Sequence, residues 1–570
     1  MGGLLRERGG LRRGWQQVLD DSKWSRTKMP DELNHTVYLS YEYMPSYLKQ
    51  CFLYYSLLPK SRIFTMNEVV AMWISEGFIH GNSNDLEESG ENYYKELVSR
   101  NLIEPDKSYV DIWVCSMHDV VRSFAQYMTK DEALVTQDGD NNILAKLGSQ
   151  KFLRLSIETN RSQSGELDWK SLQAQQSVRT LISTIQIKMK PGDSLVNFSS
   201  LRTLHIESTN MVVLVESLHQ LKHLRYLTLV NAGMSVLPGN IVKMKLLQFL
   251  DIARCTNLDE LGPLSQLRFL ALVELENVSA ASFASNARLG EKTHLIKLFL
   301  CCTSKLGDDG LVKEKEGVSE EEQQRIEKVH DKLCPPPGVE LLQIKGYFGR
   351  QLPRWMMSTS MVSLNNLKTL FFDDLACCTQ LPNGLCQLPN LQFLQVSRAP
   401  CIKHVGTGFL EAPAASFARL NEMKLFAMVE WAEWDWEEQV QAMRRLEKLV
   451  LMNCKLRHVP PGLASNARSL KILGLQYVKH LSYIESFPSV VELLVNRCPD
   501  LERITNLPNL QKLSIMYCPK LKVLERIASL ERLVLEDYHM EKLTEYMRNI
   551  NPKHLQLFCR LWLLSVVATG

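Results

Sequence analysis

Apolar residues recur in one register over most of the chain, from about residue 150 to about residue 535. The register is L-x-x-L-x-L, and several copies continue it as x-x-C/N-x-L. Copies follow one another at about 20 to 29 residues, the spacing of leucine-rich repeats. A single repeat of this kind cannot bury its apolar face alone, so neighbouring repeats must stack. The pattern therefore predicts a solenoid with a parallel β sheet on its concave face, where the side chains between the leucines lie.

Strands of the repeats are predicted throughout this region, and the copy at Val178 is weak because Ser183 stands where an apolar residue is expected. Four cysteines share one slot after the strand, where a small buried side chain fits. We predict reduced core thiols there, since no C-x-x-C pair or zinc-finger spacing occurs. The shared slot is occupied by Cys255, Cys454, Cys498 and Cys518. The predicted strands begin at Phe152, Val178, Leu201, Leu224, Leu247, Leu267, Leu295, Val339, Leu367, Leu391, Leu420, Leu446, Leu470, Val490, Leu510 and Leu530.

One repeat spacing is too long and contains a charged insertion at about 303–335. Its second half predicts a helix, because Ser319 and Glu322 form a capping-box signature and three prolines from Pro335 end the segment. The apolar stripe of this helix is Ile326, Val329 and Leu333. The charged first half predicts a solvated surface loop rather than a ligand site.

The first 130 residues show a helical pattern instead. Pro45 opens a helix that ends by Pro59, and Thr65 with Glu68 forms a capping box for a second helix that stops at Gly77. A third helix is predicted at about 86–100, a β hairpin at 102–104 and 110–114, and a last helix from His118 that buries apolar side chains. The predicted buried residues of that helix are Val121, Phe124, Ala125 and Met128. The order predicts a winged helix, so the fold class is α/β overall: a small α-rich winged-helix domain followed by the repeat solenoid.

Composition narrows the function. The chain has 570 residues and a net charge of +3, and its basic start lacks an apolar run of signal-peptide length. The apolar C-terminal stretch is interrupted by Arg560 and is short for a membrane span. We expect a cytoplasmic protein without an integral membrane segment. No G-x-S-x-G or H-E-x-x-H motif and no metal site is present, so we predict no enzyme activity. The helix from Thr65 to Glu76 has no Lys or Arg, which argues against nucleic-acid binding.

Four segments of the helical region resemble the winged-helix end of the NB-ARC nucleotide switch in plant disease-resistance receptors, the NB-LRR or NLR proteins. The segments are LSYEYMPSYLKQCFLYYSLLPK, MWISEGFI, YYKELVSRNLI and CSMHDVVRSFAQYM. The repeat segment PPPGVELLQIKGYFGRQLPRWM and the C-P-x-L bends are similar to theirs as well. The likeness runs from about residue 15 to about residue 540, and is greatest to the coiled-coil class.

The resemblance implies a domain order: 1–30 as a remnant of the preceding NB-ARC subdomain, 31–130 as the winged helix, 131–150 as a linker, 151–545 as the solenoid and 546–570 as a tail. It also implies innate immunity: recognition of a pathogen effector or guarded host protein through the repeats, possible pairing with other NLR chains, and a hypersensitive response. In the family, ADP and ATP operate the switch, and the Met-His-Asp motif senses the nucleotide phosphates. That motif is Met117, His118 and Asp119 here. A His at a helix N-terminus also lies beside N–H groups that favour an anion.

The sequence contains no G-x-x-x-x-G-K-[ST] motif, no strand ending in paired acids and no Gly-Leu-Pro-Leu segment. One charge-assisted hydrogen bond contributes about 1.5–3 kcal/mol, whereas micromolar binding needs about 8 kcal/mol. We therefore expect no cofactor for this chain alone and a vestigial role for His118. The chain is then an incomplete receptor sequence, or a truncated adaptor, decoy or relic that binds other receptors or host proteins without a nucleotide switch.

An aromatic segment, EWAEWDWEE, is the candidate recognition patch of the later repeats. Its indoles are Trp431, Trp434 and Trp436, and large aromatic side chains often dominate binding energy. The alternative, favoured over recognition, is that these indoles pack at the edge of the solenoid.

Overall fold

The computed structural model describes residues 35–560 except for short internal segments. The undescribed segments are 61, 83–84, 107–112, 138–142, 159–165, 189, 191–192, 208–216, 230–235, 314–317, 358–363, 411–415, 437, 528–529, 541–543, 545 and 548–549. The remnant expected at 1–30 lies outside the described residues. The chain divides into two compact units, one comprising residues 1–255 with 263–269 and the other comprising residues 256–262 with 270–570.

The first unit opens with α1 (His35–Glu42), a helix that we did not predict from the sequence. The four predicted helices follow: α2 Ser46–Tyr55, α3 Met66–Glu76, α4 Leu86–Ser99 and α5 Asp119–Met128. The capping box of Thr65 and Glu68 starts α3, and Gly77 ends it in the left-handed conformation at φ 83°. Strand β1 (Glu104–Pro105) pairs antiparallel with β2 (Cys115–Ser116), which confirms a hairpin, although 107–112 of its expected span lie outside the described residues.

Helix α5 buries only part of its predicted apolar face. Phe124 and Ala125 are fully buried, and Val121 is partly buried. Met128 is 38% exposed, which corrects its assignment to the core. Met128 is the last residue of the helix, where the chain already turns away from the packed face.

The rest of the first unit is a parallel sheet of repeat strands. Its strands are β3 Ala133–Gln137, β4 Arg154–Glu158, β6 Thr180–Ser183, β8 Thr203–Ile206, β9 Tyr226–Leu229 and β10 Phe249–Ala253. Each pairs in parallel with the next in this order. A short side sheet joins β5 (Glu166–Asp168) to β7 (Gln186–Lys188), and helices α6 (Ile143–Ser149) and α7 (Trp169–Gln173) lie between strands. Because β3 is a member of the repeat sheet, residues 131–150 are not the linker that we expected.

The second unit continues the same repeat pattern. Its main strands after β11 (Phe269–Val273) are β12 Lys297–Cys301, β13 Leu341–Lys345, β14 Thr369–Asp373, β15 Phe393–Ser397, β17 Glu422–Phe426, β19 Lys448–Cys454, β20 Ile472–Val478, β22 Glu492–Asn496, β24 Lys512–Met516, β26 Arg532–Glu536 and β27 His554–Phe558. From β12 onward each pairs in parallel with its neighbour in this order. Strand β27 lies in the segment expected as a tail, so the sheet extends beyond residue 545; residues 561–570 lie outside the described part.

Smaller elements fill the return segments of the second unit. Strand β16 (His404–Val405) pairs with β18 (Glu433–Trp434), and β21 (Tyr483–Glu485), β23 (Arg503–Thr505) and β25 (Val523–Glu525) form a second parallel ladder. Helices α8 (Ala281–Asn286) and α10 (Pro461–Asn466) are single short turns of helix. The leucines of the repeat register are buried throughout the described strands, as are the four cysteines of the shared slot.

Many repeats end their strand with one residue in the left-handed region. Gly346 takes this place after β13 at φ 68°, where an added Cβ would meet the Cys302 carbonyl oxygen. Elsewhere the place is taken by residues with a side chain, including Asn453, Tyr477, Arg497 and Tyr517, at φ between 50° and 53°. The strand thus turns sharply just before the buried slot.

The insertion of the second unit contains the predicted helix, α9 (Glu320–Lys332), and its capping box of Ser319 and Glu322 is present. Ile326, Val329 and Leu333 are buried. Trp355 donates its indole N–H to the His330 carbonyl oxygen at 2.8 Å, which fastens α9 to the following repeat. In the described part of the charged half, Leu306 and Val312 form an antiparallel bridge.

Candidate functional site

In the first unit, helix α3 is seated on the repeat sheet, and nearly all of its residues are buried. It lies against strands β8 and β9. Each strand directs its leucines into the core of the solenoid and the side chains between the leucines to the opposite side of the sheet. We call this opposite side the sheet face. On β6, β8 and β9 this face is fully buried: Thr180, Ile182, Thr203, His205, Tyr226 and Thr228 are all at 0% exposure. The winged helix therefore covers the sheet face of the first repeats.

Glu76, at the end of α3, is the main polar anchor of this seat. Its carboxylate accepts hydrogen bonds from the hydroxyls of Thr180 at 2.8 Å and Thr203 at 3.2 Å. Its backbone carbonyl accepts another from the Arg202 guanidinium at 2.8 Å. Glu76 is 4% exposed, so these bonds replace the water that a buried carboxylate loses. The last turn of α3 is thereby fixed to two adjacent strands.

Arg62 is the second anchor, at the start of α3. It forms ion pairs with Glu68 of the same domain at 2.7 Å and with Glu207 beyond β8 at 2.8 Å. It also contacts the ring nitrogens of His205. Burial lowers the pKa of His205, and the charge of Arg62 acts in the same direction, which keeps the imidazole neutral. The cluster joins the winged helix to the sheet.

The Met-His-Asp segment forms the start of α5. Met117 is buried, whereas His118 and Asp119 are exposed. His118 is the N-cap: its Nδ1 accepts from the Val120 N–H at 3.3 Å. An accepting Nδ1 places the proton of the neutral ring on Nε2, which is then a donor for an anion. Asp119 pairs with Lys60, and the hydrogen bond and charge of Lys60 lower the pKa of that carboxyl.

A cleft of about 360 Å³ adjoins this segment. Met117 and Asp119 line it, but His118 is not among its lining residues. Its cations are Lys60, Arg62 and Arg122, and protein groups already engage each of them: Asp119 for Lys60, two glutamates for Arg62, and the Leu58 carbonyl oxygen for Arg122. The described residues thus fit one phosphate contact through His118, and they do not fit a whole nucleotide.

The three indoles of the second unit are interior side chains. Trp431, Trp434 and Trp436 are 0%, 2% and 3% exposed, and successive ring centroids lie 5.6 and 6.1 Å apart. Trp431 and Trp436 donate to backbone carbonyls, at 2.8 Å each. The burial bears out the favoured alternative, packing within the solenoid, and corrects the candidate recognition patch, because none of the three presents a ring face to a partner.

Sequence reasoning missed the residues that hold the seat. Arg62 lies just before the predicted second helix and Glu76 is its last residue, and nothing in their local pattern marks them as interface residues. Their partners Thr180, Thr203 and Glu207 lie more than a hundred residues further along the chain. The available signal was the three threonines at sheet-face positions of the first repeats, Thr180, Thr203 and Thr228, because small side chains let a helix approach closely.

The geometry defines a class of protein: a winged helix, with a Met-His-Asp helix start, seated on leucine-rich repeats. The model of the disease resistance protein winged helix domain matches residues 57–125. The model of the R13L1/DRL21 leucine-rich repeats matches residues 258–399. The model of the repeats of FBD-associated F-box protein At5g56370 matches residues 352–552.

The particular relatives are plant disease-resistance proteins. The chain is 29% identical over 527 residues to putative disease resistance RPP13-like protein 1 of Arabidopsis thaliana, which covers 80% of this chain and 48% of the relative. It is 26% identical to putative disease resistance protein At3g14460 of the same plant, which covers 75% of this chain and 34% of the relative. The chain therefore spans half or less of the length of these relatives.

Among solved structures, a leucine-rich-repeat protein of Leptospira interrogans, LIC12759, matches 76% of this chain and 98% of its own, with 16% identity and a TM-score of 0.41. In the part of the chain that the structure describes, no helix is both long and apolar enough to cross a membrane.

Proposed function

We propose that the chain acts in plant defence as the winged-helix and repeat portion of a disease-resistance receptor, and that its later repeats recognise a pathogen effector or a guarded host protein. The observation that carries the proposal is the seat of α3 on the first repeats. It makes the winged helix and the first repeats one compact body, in which the sheet face is not available to a ligand. Recognition is then left to the sheet face of the second unit.

The sheet face of the second unit has a surface suited to a protein partner. Phe371 and Phe393 are partly exposed, with ring centroids 5.2 Å apart. The ammonium of Lys424, a buried residue, lies 5.1 Å from the Phe393 ring centroid and 3.2 Å from a carboxylate oxygen of Glu422. The partly exposed Lys448 binds the same carboxylate at 2.8 Å. Aromatic rings beside charged groups provide both contact area and specificity at protein interfaces.

Complementation of a plant that lacks this gene tests the proposal. We expect expression of the chain to restore defence against a pathogen isolate that the mutant plant no longer resists. Phe371→Asp, on the sheet face, should abolish the rescue. Leu311→Asp, which places the same charge at a residue 43% exposed in the insertion, should keep it. Equal rescue by both variants, at equal protein levels, would contradict recognition through the sheet face.

For the chain alone we propose no stable nucleotide binding and no catalysis. The support is that Lys60, Arg62 and Arg122, the cations among the described residues of the cleft, are already engaged by protein groups, while His118 lies outside its lining. Calorimetric titration of the purified chain with ADP should show no saturable binding at micromolar concentrations. A dissociation constant in the low micromolar range would sink this part of the proposal and leave the recognition role standing.

A further inference from the structure

Two buried thiols of the second unit are neighbours on adjacent repeats. Strands β22 and β24 pair with Asn496 opposite Met516, and two residues further on this register places Cys498 opposite Cys518. The Cys518 thiol donates to the Met516 carbonyl oxygen at 3.4 Å, and the Cys498 thiol is 3.6 Å from the Asn496 carbonyl oxygen. The two thiols therefore occupy the same slot of adjacent repeats, and their interaction shifts the pKa of each.

The spacing suits a covalent bond. Neighbouring strands lie about 4.8 Å apart, and disulfides join Cα atoms separated by about 4.4–6.8 Å. A bond between equivalent slots of adjacent repeats therefore needs little movement of the strands.

The same slot elsewhere offers a contrast. Cys454 is as buried as Cys498, but the register of β19 places it opposite Val478 on one side and, by extension of the β17 pairing, opposite Met428 on the other. Cys454 thus occupies the same slot, but neither of the residues that face it on the two adjacent strands is a cysteine. It is a matched control within the chain.

We propose that Cys498 and Cys518 form a reversible disulfide when the protein meets a peroxide, joining two successive repeats. Cys518 reacts first because it is 9% exposed, whereas Cys498 is at 0%. Its thiolate attacks one peroxide oxygen, the O–O bond breaks, and hydroxide leaves to give a sulfenic acid. The Cys498 sulfur then displaces water from that sulfenic acid to form the S–S bond. Overall two thiols lose two electrons and two protons, and hydrogen peroxide becomes two waters.

The electrostatics favour the same order of events. The hydrogen bond from Cys498 lowers the pKa of the Cys518 thiol, and the same bond, with burial, raises the pKa of Cys498. A thiolate is the reactive form of cysteine. The pair therefore combines one nucleophilic thiol and one resolving thiol at facing positions of adjacent repeats.

The disulfide would act on an exposed ladder of side chains. Arg497 and Tyr517 directly precede the two cysteines, and the Arg497 guanidinium lies 5.3 Å from the Tyr477 ring centroid and 5.2 Å from that of Tyr517. Tyr477 is 38% exposed. Oxidation would thus fix the separation of stacked aromatic and cationic groups at the surface of these repeats.

The test uses the full purified chain in its native state. It is treated with hydrogen peroxide, free thiols are alkylated under denaturing conditions, and disulfide-linked peptides are mapped by mass spectrometry without reduction. We expect a Cys498–Cys518 linked peptide that disappears with dithiothreitol, while Cys454 remains alkylated. Cys454→Ser should keep the linked peptide and Cys518→Ser should lose it. Oxidation should also raise the melting temperature of the wild-type chain and not of Cys518→Ser.

Two results would overturn the proposal. One is oxidation of Cys518 to sulfinic acid with no linked peptide. The other is earlier formation of a Cys377–Cys401 bond, since those more exposed cysteines are also at equivalent repeat positions but direct their contacts to Gln323 and the Ala376 carbonyl oxygen. If Cys518→Ser does not fold, the wild-type peptide map decides the question by itself.

Discussion

Gly462 shows how a single small residue makes room for an interior indole. A Cβ added at Gly462 would lie 2.2 Å from the Cδ1 atom of Trp436. We expect Gly462→Ala to lower the free energy of unfolding by about 1–3 kcal/mol, because the packed interior cannot move the indole aside. Urea unfolding of the purified chain measures the change. Gly290→Ala is the matched control, since no atom lies within 4 Å of its added Cβ.

The pairing of these two residues can be tested directly. Trp436→Leu removes the indole that the added Cβ would meet. In that background, Gly462→Ala should therefore lower the free energy of unfolding much less than in the wild-type chain. Equal cost in both backgrounds would show that the loss comes from the backbone and not from the indole.

His330 gives the fold a specific acid sensitivity. It is at 0% exposure on α9, its ring packs edge-on against Tyr347, and burial lowers its pKa to about 4. The unfolded chain binds a proton near pH 6.5 and the folded chain only near pH 4, so stability is fully present above pH 6.5 and falls as the pH drops through that window. The effect amounts to about 3 kcal/mol.

We expect His330→Phe to flatten this part of the stability profile, because the ring contact stays and the proton site goes. Unfolding free energies at several pH values between 4 and 7 measure the slope. Replacing the exposed His458 with Gln should leave the profile unchanged. An equally steep profile in His330→Phe would assign the acid sensitivity to other groups.

Among the elements, we expect the stability of the first turn of α9 to depend on its capping box more than on the other acidic residues of that turn. The Glu322 carboxylate accepts from the Ser319 N–H at 3.1 Å and from its hydroxyl at 2.9 Å, which lowers the pKa of that carboxyl. We expect Glu322→Ala to raise amide exchange in the first turn of α9 by about fivefold, the loss of about 1 kcal/mol. Glu321→Ala removes an acidic residue of the first turn but keeps the capping box, so it should change the amide exchange rate little. A similar increase in Glu321→Ala would assign the effect to the helix dipole instead.

The elements that sequence could predict are those that carry a local signal. The helix of the insertion was predicted because Ser319 and Glu322 stand before an apolar stripe, and most repeat strands because their leucines keep one register. Strand β3 was missed because Ala133–Gln137 lacks that register and joins the sheet through pairing with β4. Strand β27 keeps Leu555 and Leu557 of the register but has Pro552 where the leading leucine is expected, and its place is set by pairing with the preceding repeat.

At the scale of the whole molecule, an ion pair inside the first unit ties α4 to the repeats. The Arg268 guanidinium binds both carboxylate oxygens of Glu87, at 2.7 Å through Nε and more closely through Nη2, and both side chains are nearly buried. We expect Arg268→Glu to lower the free energy of unfolding by about 3–5 kcal/mol, because it leaves two like charges without solvent.

The reversed pair is the control for that experiment. Glu87→Arg alone should be similarly destabilising, and the double variant should recover part of the loss, as measured by thermal unfolding of the three proteins. No recovery in the double variant would mean that the surrounding groups, and not the pair, set the cost.

The seat of α3 could not be predicted from sequence. Its hydrogen bonds join Glu76 to threonines that are 104 and 127 residues away, and no periodicity connects them. The Met-His-Asp segment, in contrast, was located by its motif, and the structure places His118 at the helix cap while leaving the motif's nucleotide role as a prediction. Burial of Trp434 and Trp436 likewise depends on Gly462 and on neighbouring repeats, which the local E-W pattern does not encode.

The left-handed corners after the repeat strands have a consequence for how such a surface changes. A non-glycine residue held at positive φ costs about 1–2 kcal/mol, which Gly or Asn at the same place largely avoids. Gly346 and Asn453 use that solution, whereas Tyr477, Arg497 and Tyr517 do not. The fold tolerates several side chains at one corner, because the strand ladder beneath is set by the leucines. The residue at each corner can therefore be substituted, which changes the chemistry of the surface and leaves the fold of the repeat intact.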